Sequence, residues 1–339
     1  ISPAQKRLKN AAAGWKILFV WQRTGSKHGS GATGSIYEEP IALISIWSIS
    51  AAQTFLHSRR KGGFSIEREP IKATEYGDRI EPVADGVYHI DDAHAQSFYL
   101  IEGGERALVI DTGMEARALI PLLRTLTEKP FVLALTHAHP DHMYHADEFE
   151  TVCLGRADIA AWKGTLRLVT DVLVGMRKLP RKKFLVEAYV PVTGRTKIDL
   201  GGNVIEALEA PGHTPGSMMY VDHQHRCIFT GDAVGSGMFV LMALPGCLKL
   251  SDYRDSLVRL LKKLEPIADY RMYGGHLSQE RGAGERGEDY YNPVTIEVVR
   301  DLYTLCDKLL KKELLPQGKG FLSAKYGKAE IQLRRDQLR

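Results

Sequence analysis

THAHPDH, at Thr136–His142, places three histidines and one aspartate within six residues. These four side chains are candidate metal ligands: His137, His139, Asp141 and His142. The apolar run Phe131–Leu135, bounded by Pro130, predicts a buried strand that ends where this cluster begins. Imidazoles two residues apart can converge there on one cation, and the following Asp-His pair can face a second one. Neutral imidazole and carboxylate suit zinc, iron or manganese, so the stretch predicts a metal site rather than a polar loop.

The composition is that of an ordinary globular protein. The 339 residues are 44% hydrophobic and 25% charged, which is enough to bury a large core. Four cysteines are scattered along the chain without a CxxC pair: Cys153, Cys227, Cys247 and Cys306. This spacing disfavours a disulfide framework or a zinc ribbon and predicts buried free thiols in a reducing compartment. We therefore expect a cytoplasmic location.

Residues 1–75 fit the rest of the chain poorly, and we predict an N-terminal extension of unknown role. Residues 1–79 hold twelve Lys/Arg against six Asp/Glu, a net +6, which leaves −2 for the remainder. Because the basic charge belongs to this front segment, we expect no nucleic-acid partner. The apolar run Ile41–Leu56 is short for a membrane span and too far from the first residue for an ordinary signal peptide. A packed or surface helix is favoured there, with membrane association of residues 41–56 as the alternative.

From Ile80 onwards, strand-like runs separated by glycine turns are followed by helical periodicity, and this order occurs twice, around residues 83–150 and 184–264. Helices are predicted at residues 116–128, 158–183, 253–264 and 293–314. Two such halves packed sheet on sheet leave helices on both outer faces. We therefore predict an α+β fold, a four-layer αββα sandwich. Its main domain, which contains the predicted metal ligands, spans residues 76–280, and a C-terminal helical segment, residues 281–339, packs on the core.

Three more polar signals follow strand-like runs. His213 lies in the loop Pro211–Gly216, which holds two prolines and two glycines. Asp232, in Thr230-Gly231-Asp232, comes directly after the run Cys227–Phe229, and His276 follows the short run ending in Gly274-Gly275. Each signal is weak alone, because a loop histidine or aspartate is usually a solvated turn residue. In this order behind THAHPDH, they indicate one shared site.

With these residues in place, the chain resembles the metallo-β-lactamase superfamily, whose signature is HxHxDH followed by a distant His, Asp and His. The resemblance covers roughly residues 80 to 280. It implies that His137, His139 and His213 bind a first metal ion. Asp141, His142 and His276 would bind a second ion, and Asp232 would bridge the two. Asp111, in Ile110-Asp111-Thr112-Gly113, matches the family's earlier aspartate, which has a supporting structural role.

The resemblance implies a hydrolase with two divalent ions, zinc first and iron or manganese as alternatives, and Asp141 and Asp232 as its catalytic carboxylates. Two ions can share a hydroxide, which would attack a carbonyl carbon while the ions stabilise the oxyanion and the leaving group. An aspartate at position 232 disfavours β-lactam hydrolysis, and the Asp141-His142 pair argues against redox chemistry. The ligand set is most similar to hydroxyacylglutathione hydrolases, lactonases and related esterases. We expect a small ester, thioester or lactone substrate; a phosphodiesterase or nuclease is the alternative, and the sequence leaves the oligomeric state open.

Substrate contacts are predicted in Ala233–Leu250, a Met- and Phe-containing stretch with three glycines that suggests a mobile apolar wall. Ordinary core packing is the competing interpretation. Tyr144 and Tyr273 flank ligand motifs and are candidate oxyanion or substrate contacts. His145 is interpreted as a supporting or solvent-facing residue rather than an eighth ligand.

Overall fold

The computed structural model describes residues 72–74, 77–94, 96–235, 239–276, 281–283, 289–291 and 294–338. All of them belong to one compact unit, Ser65–Arg339. The apolar run at residues 41–56 lies outside the described residues, as does the predicted extension at residues 1–75 apart from residues 72–74. The roles and boundary predicted for that extension therefore stay predictions.

The first sheet has eight strands that lie side by side in chain order. They are β1 (Lys72–Ala73), β2 (Arg79–Ala84), β3 (Val87–Asp91), β4 (Ser97–Glu102), β5 (Ala107–Ile110), β6 (Phe131–Ala134), β7 (Val152–Gly155) and β8 (Val190–Val192). Neighbours from β1 to β5 are antiparallel, and neighbours from β5 to β8 are parallel. The parallel part brings the carboxyl ends of β5 and β6 to the same edge of the sheet.

The second half of the chain supplies the facing sheet and two smaller sheets. Its strands are β9 (Lys197–Asp199), β10 (Val204–Glu209), β11 (Met218–Asp222), β12 (Cys227–Gly231), β13 (Val240–Leu241), β14 (Arg271–Gly274), β15 (Arg281–Ala283), β16 (Asp289–Tyr291), β17 (Leu322–Tyr326) and β18 (Ala329–Leu333). The second sheet has the order β14-β12-β11-β10-β9, with β12 and β14 parallel. A small third sheet has the order β13-β18-β17, and β15 pairs with β16.

Helices cover the outer faces of the two large sheets. They are α1 (Ile120–Leu123), α2 (Pro140–Met143), α3 (Arg156–Ala161), α4 (Arg167–Met176), α5 (Leu250–Leu264) and α6 (Ile296–Leu310). The helices with longitudinal apolar stripes, α5 and α6, pack on the second sheet. Among the described residues, no helix combines the length and hydrophobicity needed to cross a bilayer.

Strand alternation builds three apolar layers from the two sheets. On β4, Tyr99 and Ile101 point between the sheets, whereas Phe98 and Leu100 point to the helices of the first half. The strand β11 does the same in the second half, with alternate residues in the central core and in the core under α5 and α6. This arrangement confirms the predicted four-layer αββα sandwich.

Local predictions differ from the structure in four places. The helix predicted at residues 158–183 is split into α3 and α4 and ends at Met176, so residues 177–183 are not helical. The helix predicted at residues 116–128 is only one turn, α1, with Pro121 in its first turn. Beyond it, the N–H groups of Thr125 and Leu126 donate to the carbonyls of Leu122 and Leu123, three residues earlier, as in a turn. At the start of the second predicted half, residues 184–189 form no strand: Val186–Ala188 is a 3-10 turn, and β8 begins only at Val190. The C-terminal segment, residues 281–339, was predicted helical, yet after α6 it forms the antiparallel hairpin β17–β18, whose buried residues alternate as strands require.

Candidate metal centre

The predicted ligands lie where strands end, at one edge of the sandwich. The stretch Thr136–His142 lies just after β6, and its last three residues begin α2. His213 lies in the turn between β10 and β11, and Asp232 directly follows β12. His276 follows β14, the parallel neighbour of β12, so the last two ligands come from adjacent strand ends. The fold therefore brings all seven predicted ligands together.

The first ligand group is a set of three buried imidazoles. His139 Nδ1 lies 3.1 Å from His137 Nε2 and 2.9 Å from His213 Nε2. Nitrogen donors bound tetrahedrally at about 2.0–2.1 Å from a zinc ion would lie about 3.3 Å from each other. The spacing of the three nitrogens therefore fits one ion.

The second group joins a carboxylate and two imidazoles. Asp141 Oδ2 lies 3.6 Å from His276 Nε2 and 3.8 Å from His142 Nε2. The three ligand atoms lie within 4.8 Å of one another. One carboxylate and two imidazoles grouped in this way, next to the first group, can hold a second cation.

Asp232 lies between the two groups. Its Oδ1 is 3.5 Å from His142 Nε2, and its Oδ2 is 3.6 Å from His213 Nε2 and 3.2 Å from His276 Nε2. One carboxylate therefore faces ligands of both groups with its two oxygens. This is the arrangement expected of a bridging ligand.

Two buried atoms test whether cations fit. His142 Nε2 and Asp232 Oδ1 are buried without a hydrogen-bond partner among the described residues. Buried polar atoms are normally paired, because leaving one unpaired costs about 1–3 kcal/mol. Both atoms point into the same cluster, so a cation there would satisfy them, and the donor set fits a divalent metal.

A family model for the metallo-β-lactamase superfamily matches residues 91–276, more than half of the chain. This chain belongs to the metallo-β-lactamase superfamily. The match runs from the end of β3 to the last predicted ligand, His276. The resemblance predicted from the HxHxDH stretch is thus confirmed.

Curated relatives add the class of activity. Acyl-coenzyme A thioesterase MBLAC2 of Gallus gallus is 26% identical over 226 residues, which cover 58% of this chain and 80% of the relative. Hydroxyacylglutathione hydrolase GloC of Haemophilus influenzae is 28% identical over 184 residues, covering 52% and 82%. The stereoselective inverting sec-alkylsulfatase Pisa1 of Pseudomonas sp. matches in fold, with a TM-score of 0.53 at 15% identity over 69% of this chain and 42% of that one. Family and relatives together make this chain a metal-dependent hydrolase.

Asp111 orients the ligand His142 by contacting Nδ1, the ring nitrogen that faces away from the cluster. Its Oδ2 lies 2.8 Å from His142 Nδ1 and accepts a hydrogen bond from Thr136 Oγ1 at 2.7 Å, while its Oδ1 accepts one from the Thr136 backbone N–H at 2.7 Å. With Nδ1 of His142 donating to Asp111, Nε2 is left free to face the metal position. Asp111 adopts φ +62°, a left-handed conformation that the short polar side chain of aspartate tolerates.

Two further imidazoles are oriented in the same way. His213 Nδ1 lies 2.6 Å from the Leu241 carbonyl, and His137 Nδ1 lies 3.1 Å from Thr136 Oγ1. In each ring, the outer nitrogen can donate to oxygen while Nε2 faces the cluster. The hydrogen bonds thus select the tautomer that can bind a metal.

Asp158 is a supporting residue that sequence reasoning missed. Its fully buried carboxylate accepts hydrogen bonds from the backbone N–H of Ala138 at 2.9 Å and of Gly216 at 2.6 Å, and from Thr214 Oγ1 at 2.9 Å. Ala138 lies between two first-group ligands, and Thr214 follows the third, so one side chain ties both ligand loops together. Burial raises the pKa of Asp158 to about 6, although these three hydrogen bonds favour its ionised form. Its only sequence signal was a lone acid at the start of a helix, which has many structural explanations.

The loop before β4 sets the position of His276. Gln96 forms a β-bridge with His276, and the Ser97 N–H donates to the Gly275 carbonyl at 2.9 Å. A side chain at Gly275 would come within 2.4 Å of Asp232 Oδ1, so only glycine lets the chain pass this close to the bridging carboxylate. The first sheet therefore holds a ligand that belongs to the second.

Burial and neighbouring charges separate the ligands into neutral and charged sets. Burial and the adjacent His213 lower the pKa of His139 to about 3, so this ring is neutral. Burial alone would lower the pKa of His142, but the carboxylates of Asp232, Asp111 and Asp141 raise it to about 10. Burial alone would raise the pKa of Asp232, but His276 and His142 hold it well below its usual range. The negative charge is thus concentrated on the side of the second group, where it favours a cation.

The structure corrects the role predicted for the two tyrosines. Tyr273 lies in the central core with its ring stacked on Phe229 at 5.6 Å. The Tyr144 hydroxyl donates to the Pro180 carbonyl at 2.8 Å, so its only proton is already used. His145 is buried, with Nδ1 2.8 Å from Glu148 Oε1, which fits the supporting role predicted for it.

Core packing accounts for much of the stretch Ala233–Leu250. Ala233, Val234, Val240, Met242 and Leu250 belong to the core cluster of α5 and α6, and β13 pairs with β18. Residues 236–238 lie outside the described part of the chain. The Leu241 carbonyl next to His213 gives the stretch a positioning role that the expectation of a mobile wall did not include.

Proposed function

We propose that this metal-dependent hydrolase cleaves a carboxylic thioester with two divalent cations, zinc first, held side by side by the seven-ligand cluster. The observation that carries the proposal is the position of Asp232, whose two oxygens face both ligand groups at 3.2–3.6 Å. His137, His139 and His213 would hold one cation, and Asp141, His142 and His276 the other. When bound, two such ions supply Lewis acidity toward a carbonyl oxygen and ionise water near neutral pH.

The chain's own residues keep this constellation fixed. Asp111 and Asp158 hold the ligand loops through six hydrogen bonds, one of them to the imidazole of His142, so little reorganisation is needed during the reaction. Neutral His139 presents a lone pair rather than a proton. Hydrolysis forms a carbon–oxygen bond from water and breaks the carbon–sulfur bond; the thiolate leaves with a proton from that water, and the second proton goes to solvent.

Two of the relatives favour a thioester among the substrates predicted from the sequence. MBLAC2 is named an acyl-coenzyme A thioesterase and GloC a hydroxyacylglutathione hydrolase. Coenzyme A and glutathione are both thiols, so both names describe removal of an acyl group from a sulfur carrier. Esters, lactones and phosphodiesters are the classes that a substrate panel has to distinguish from it.

The test is a hydrolysis panel on the purified protein with acyl-CoA, S-acylglutathione, an aryl ester, a lactone and a bis-aryl phosphodiester. We expect thioester turnover that chelation abolishes and zinc restores. Asp232→Asn should lower kcat/KM by at least ~1,000-fold, since metal assistance supplies several kcal/mol. Asp269→Asn, which changes an exposed aspartate paired with Arg226, is the matched control and should retain activity. Turnover confined to the phosphodiester would contradict the proposal.

A further inference from the structure

The segment that follows α4 carries a dense positive charge. Five of the seven residues in Arg177–Lys183 are Lys or Arg, and none is acidic. We call this stretch the basic segment. Residues 80–339, which include the segment, carry a net charge of −2, so without its five cations the rest of that region carries −7. The positive charge is therefore local rather than a general property of the protein.

Most of this charge has no carboxylate beside it. Within the described residues, Lys182 is the one member that forms an ion pair, with Asp147 at 2.7 Å and Glu148 at 3.8 Å. Lys178, Arg181 and Lys183 are exposed. Uncompensated, exposed cations of one sign create a local positive potential that attracts polyanions.

The basic segment is fixed to the metal-binding loop. The carbonyl of Pro180 accepts a hydrogen bond from Tyr144, which directly follows α2 with its ligands. Leu179 and Phe184 pack around Tyr144 and Val174, and Lys182 Nζ lies 4.7 Å from the centre of the Tyr144 ring. In α4, one turn before Val174, Thr170 Oγ1 donates to the carbonyl of Ala138, which lies between His137 and His139. The cations therefore keep a defined position relative to the site of bond cleavage.

We propose that the basic segment binds the phosphates of the thiol leaving group, so that the preferred substrate is the acyl thioester of a nucleotide-bearing thiol such as coenzyme A. This inference rests on the proposed thioesterase function and narrows its substrate class. Guanidinium and ammonium groups bind phosphate oxygens through charge-assisted hydrogen bonds. A nucleotide thiol carries several phosphate charges at a distance from its sulfur, across the pantetheine arm. A basic segment anchored through Tyr144 to the loop of Asp141 and His142 puts phosphate-binding charge apart from the reacting sulfur, as a nucleotide thiol requires. Glutathione, by contrast, carries its few charges close to the sulfur.

An anionic membrane surface is the other polyanion that such a segment could meet. Leu168, Met176 and Leu185 are exposed on the same stretch of chain, at 43%, 43% and 56% of their surface. The anchoring by Tyr144 and Thr170 favours a substrate group, because a leaving group must lie at a fixed distance from the scissile bond. The experiment below therefore includes binding to lipid vesicles as the alternative result.

The experiment compares one acyl group carried by coenzyme A and by pantetheine, which lacks the nucleotide. We expect the unaltered protein to prefer the coenzyme A thioester in kcat/KM, with a preference that falls as salt increases. The variant R177Q/K178Q/R181Q/K183Q should lower that preference at least tenfold, mainly through KM for acyl-CoA. Lys182 stays unchanged because it pairs with Asp147. The control R259Q/K262Q/K263Q/K319Q removes the same charge from exposed positions elsewhere and should keep the preference.

The possible results separate failure of the proposed function from failure of the phosphate site. If the unaltered protein cleaves neither thioester, the proposed function itself fails. If it cleaves both and the variant keeps the parent's preference, the phosphate site is overturned; loss of phosphatidylserine-vesicle binding in that variant would then assign the segment to lipid. A variant that does not fold is replaced by a measurement on the unaltered protein. There, adenosine 3′,5′-bisphosphate should inhibit acyl-CoA hydrolysis competitively, and the absence of inhibition would overturn the proposal.

Discussion

The two halves of the molecule build the metal centre in different ways. The first half delivers four ligands from one short loop, Thr136–His142, so their proximity is set by local chain geometry. The second half delivers His213, Asp232 and His276 from three separate strand ends, so their proximity depends on sheet pairing. Local ligands can be read from sequence, but distant ligands need the fold. The residues that join the two halves, Asp232 and Asp158, should therefore be the most revealing to change.

The largest expected effect is loss of one first-group imidazole from either half. His139→Ala and His213→Ala should each lower kcat/KM by at least ~1,000-fold and release one metal ion, because each removes one of three ligands of the same ion. Equal losses would show that the local and the distant ligand are equivalent once the chain is folded. Measurement of kinetics with metal content by mass spectrometry checks this, and a His213→Ala protein with two retained ions would contradict it.

Asp158→Asn should have the next largest effect. The amide cannot accept all three hydrogen bonds in the same geometry, so the loops that carry His139 and His213 should loosen together. We expect about 10- to 100-fold weaker metal binding and a stability loss of about 1–3 kcal/mol. Metal titration and denaturant unfolding of the chelated protein would measure the two effects. If only the stability changes and metal affinity stays at the parent value, Asp158 does not position the two ligand loops.

Asp111→Asn confines the perturbation to the first half. Asparagine keeps the size of the side chain but weakens the charged contact to His142, so metal affinity should fall about 10-fold or more. The ions held by the remaining ligands should be affected less than in the Asp158 variant. Comparing the two affinities in one titration series distinguishes the roles, and an unchanged affinity in Asp111→Asn would remove Asp111 from the supporting set.

Metal uptake should release protons because of His142. In the chelated protein its pKa of about 10 keeps the ring protonated at neutral pH, whereas a metal ligand must be unprotonated. Metal affinity should therefore rise as pH increases from 7 towards 10, and uptake at pH 7 should release close to one proton from this residue. His139, with a pKa of about 3, should contribute none. Calorimetry in buffers of different ionisation enthalpy measures the proton count, and binding without proton release contradicts the assignment.

The smallest expected effect is that of Tyr273→Phe. Its ring packs between the sheets, so removing the hydroxyl should cost about 1 kcal/mol of stability or less and leave kcat/KM nearly unchanged. Thermal unfolding and steady-state kinetics suffice to measure this. A large loss of kcat with stability retained would restore the substrate role first predicted for this tyrosine.

Sequence patterns predicted the fold and the ligands better than they predicted the residues behind them. The order of strands and helices, repeated in two halves of the chain, led to the four-layer sandwich. Polar alternation gave no help in β4 and β11, because both strands are buried on both faces. The hairpin β17–β18 was missed because its strands are short and half exposed. Asp158 was missed because its three partners, Ala138, Thr214 and Gly216, lie 20, 56 and 58 residues away from it along the chain. The substrate role predicted for Tyr144 and Tyr273 was wrong because a residue next to a ligand in sequence can still point its side chain away from the site.

The most direct test is a crystal structure of the zinc-loaded protein with anomalous scattering data. The account predicts two ions per chain: one bound by His137, His139 and His213, the other by Asp141, His142 and His276. Asp232 should contact both. One ion only, or two ions with Asp232 turned away from either of them, would contradict it.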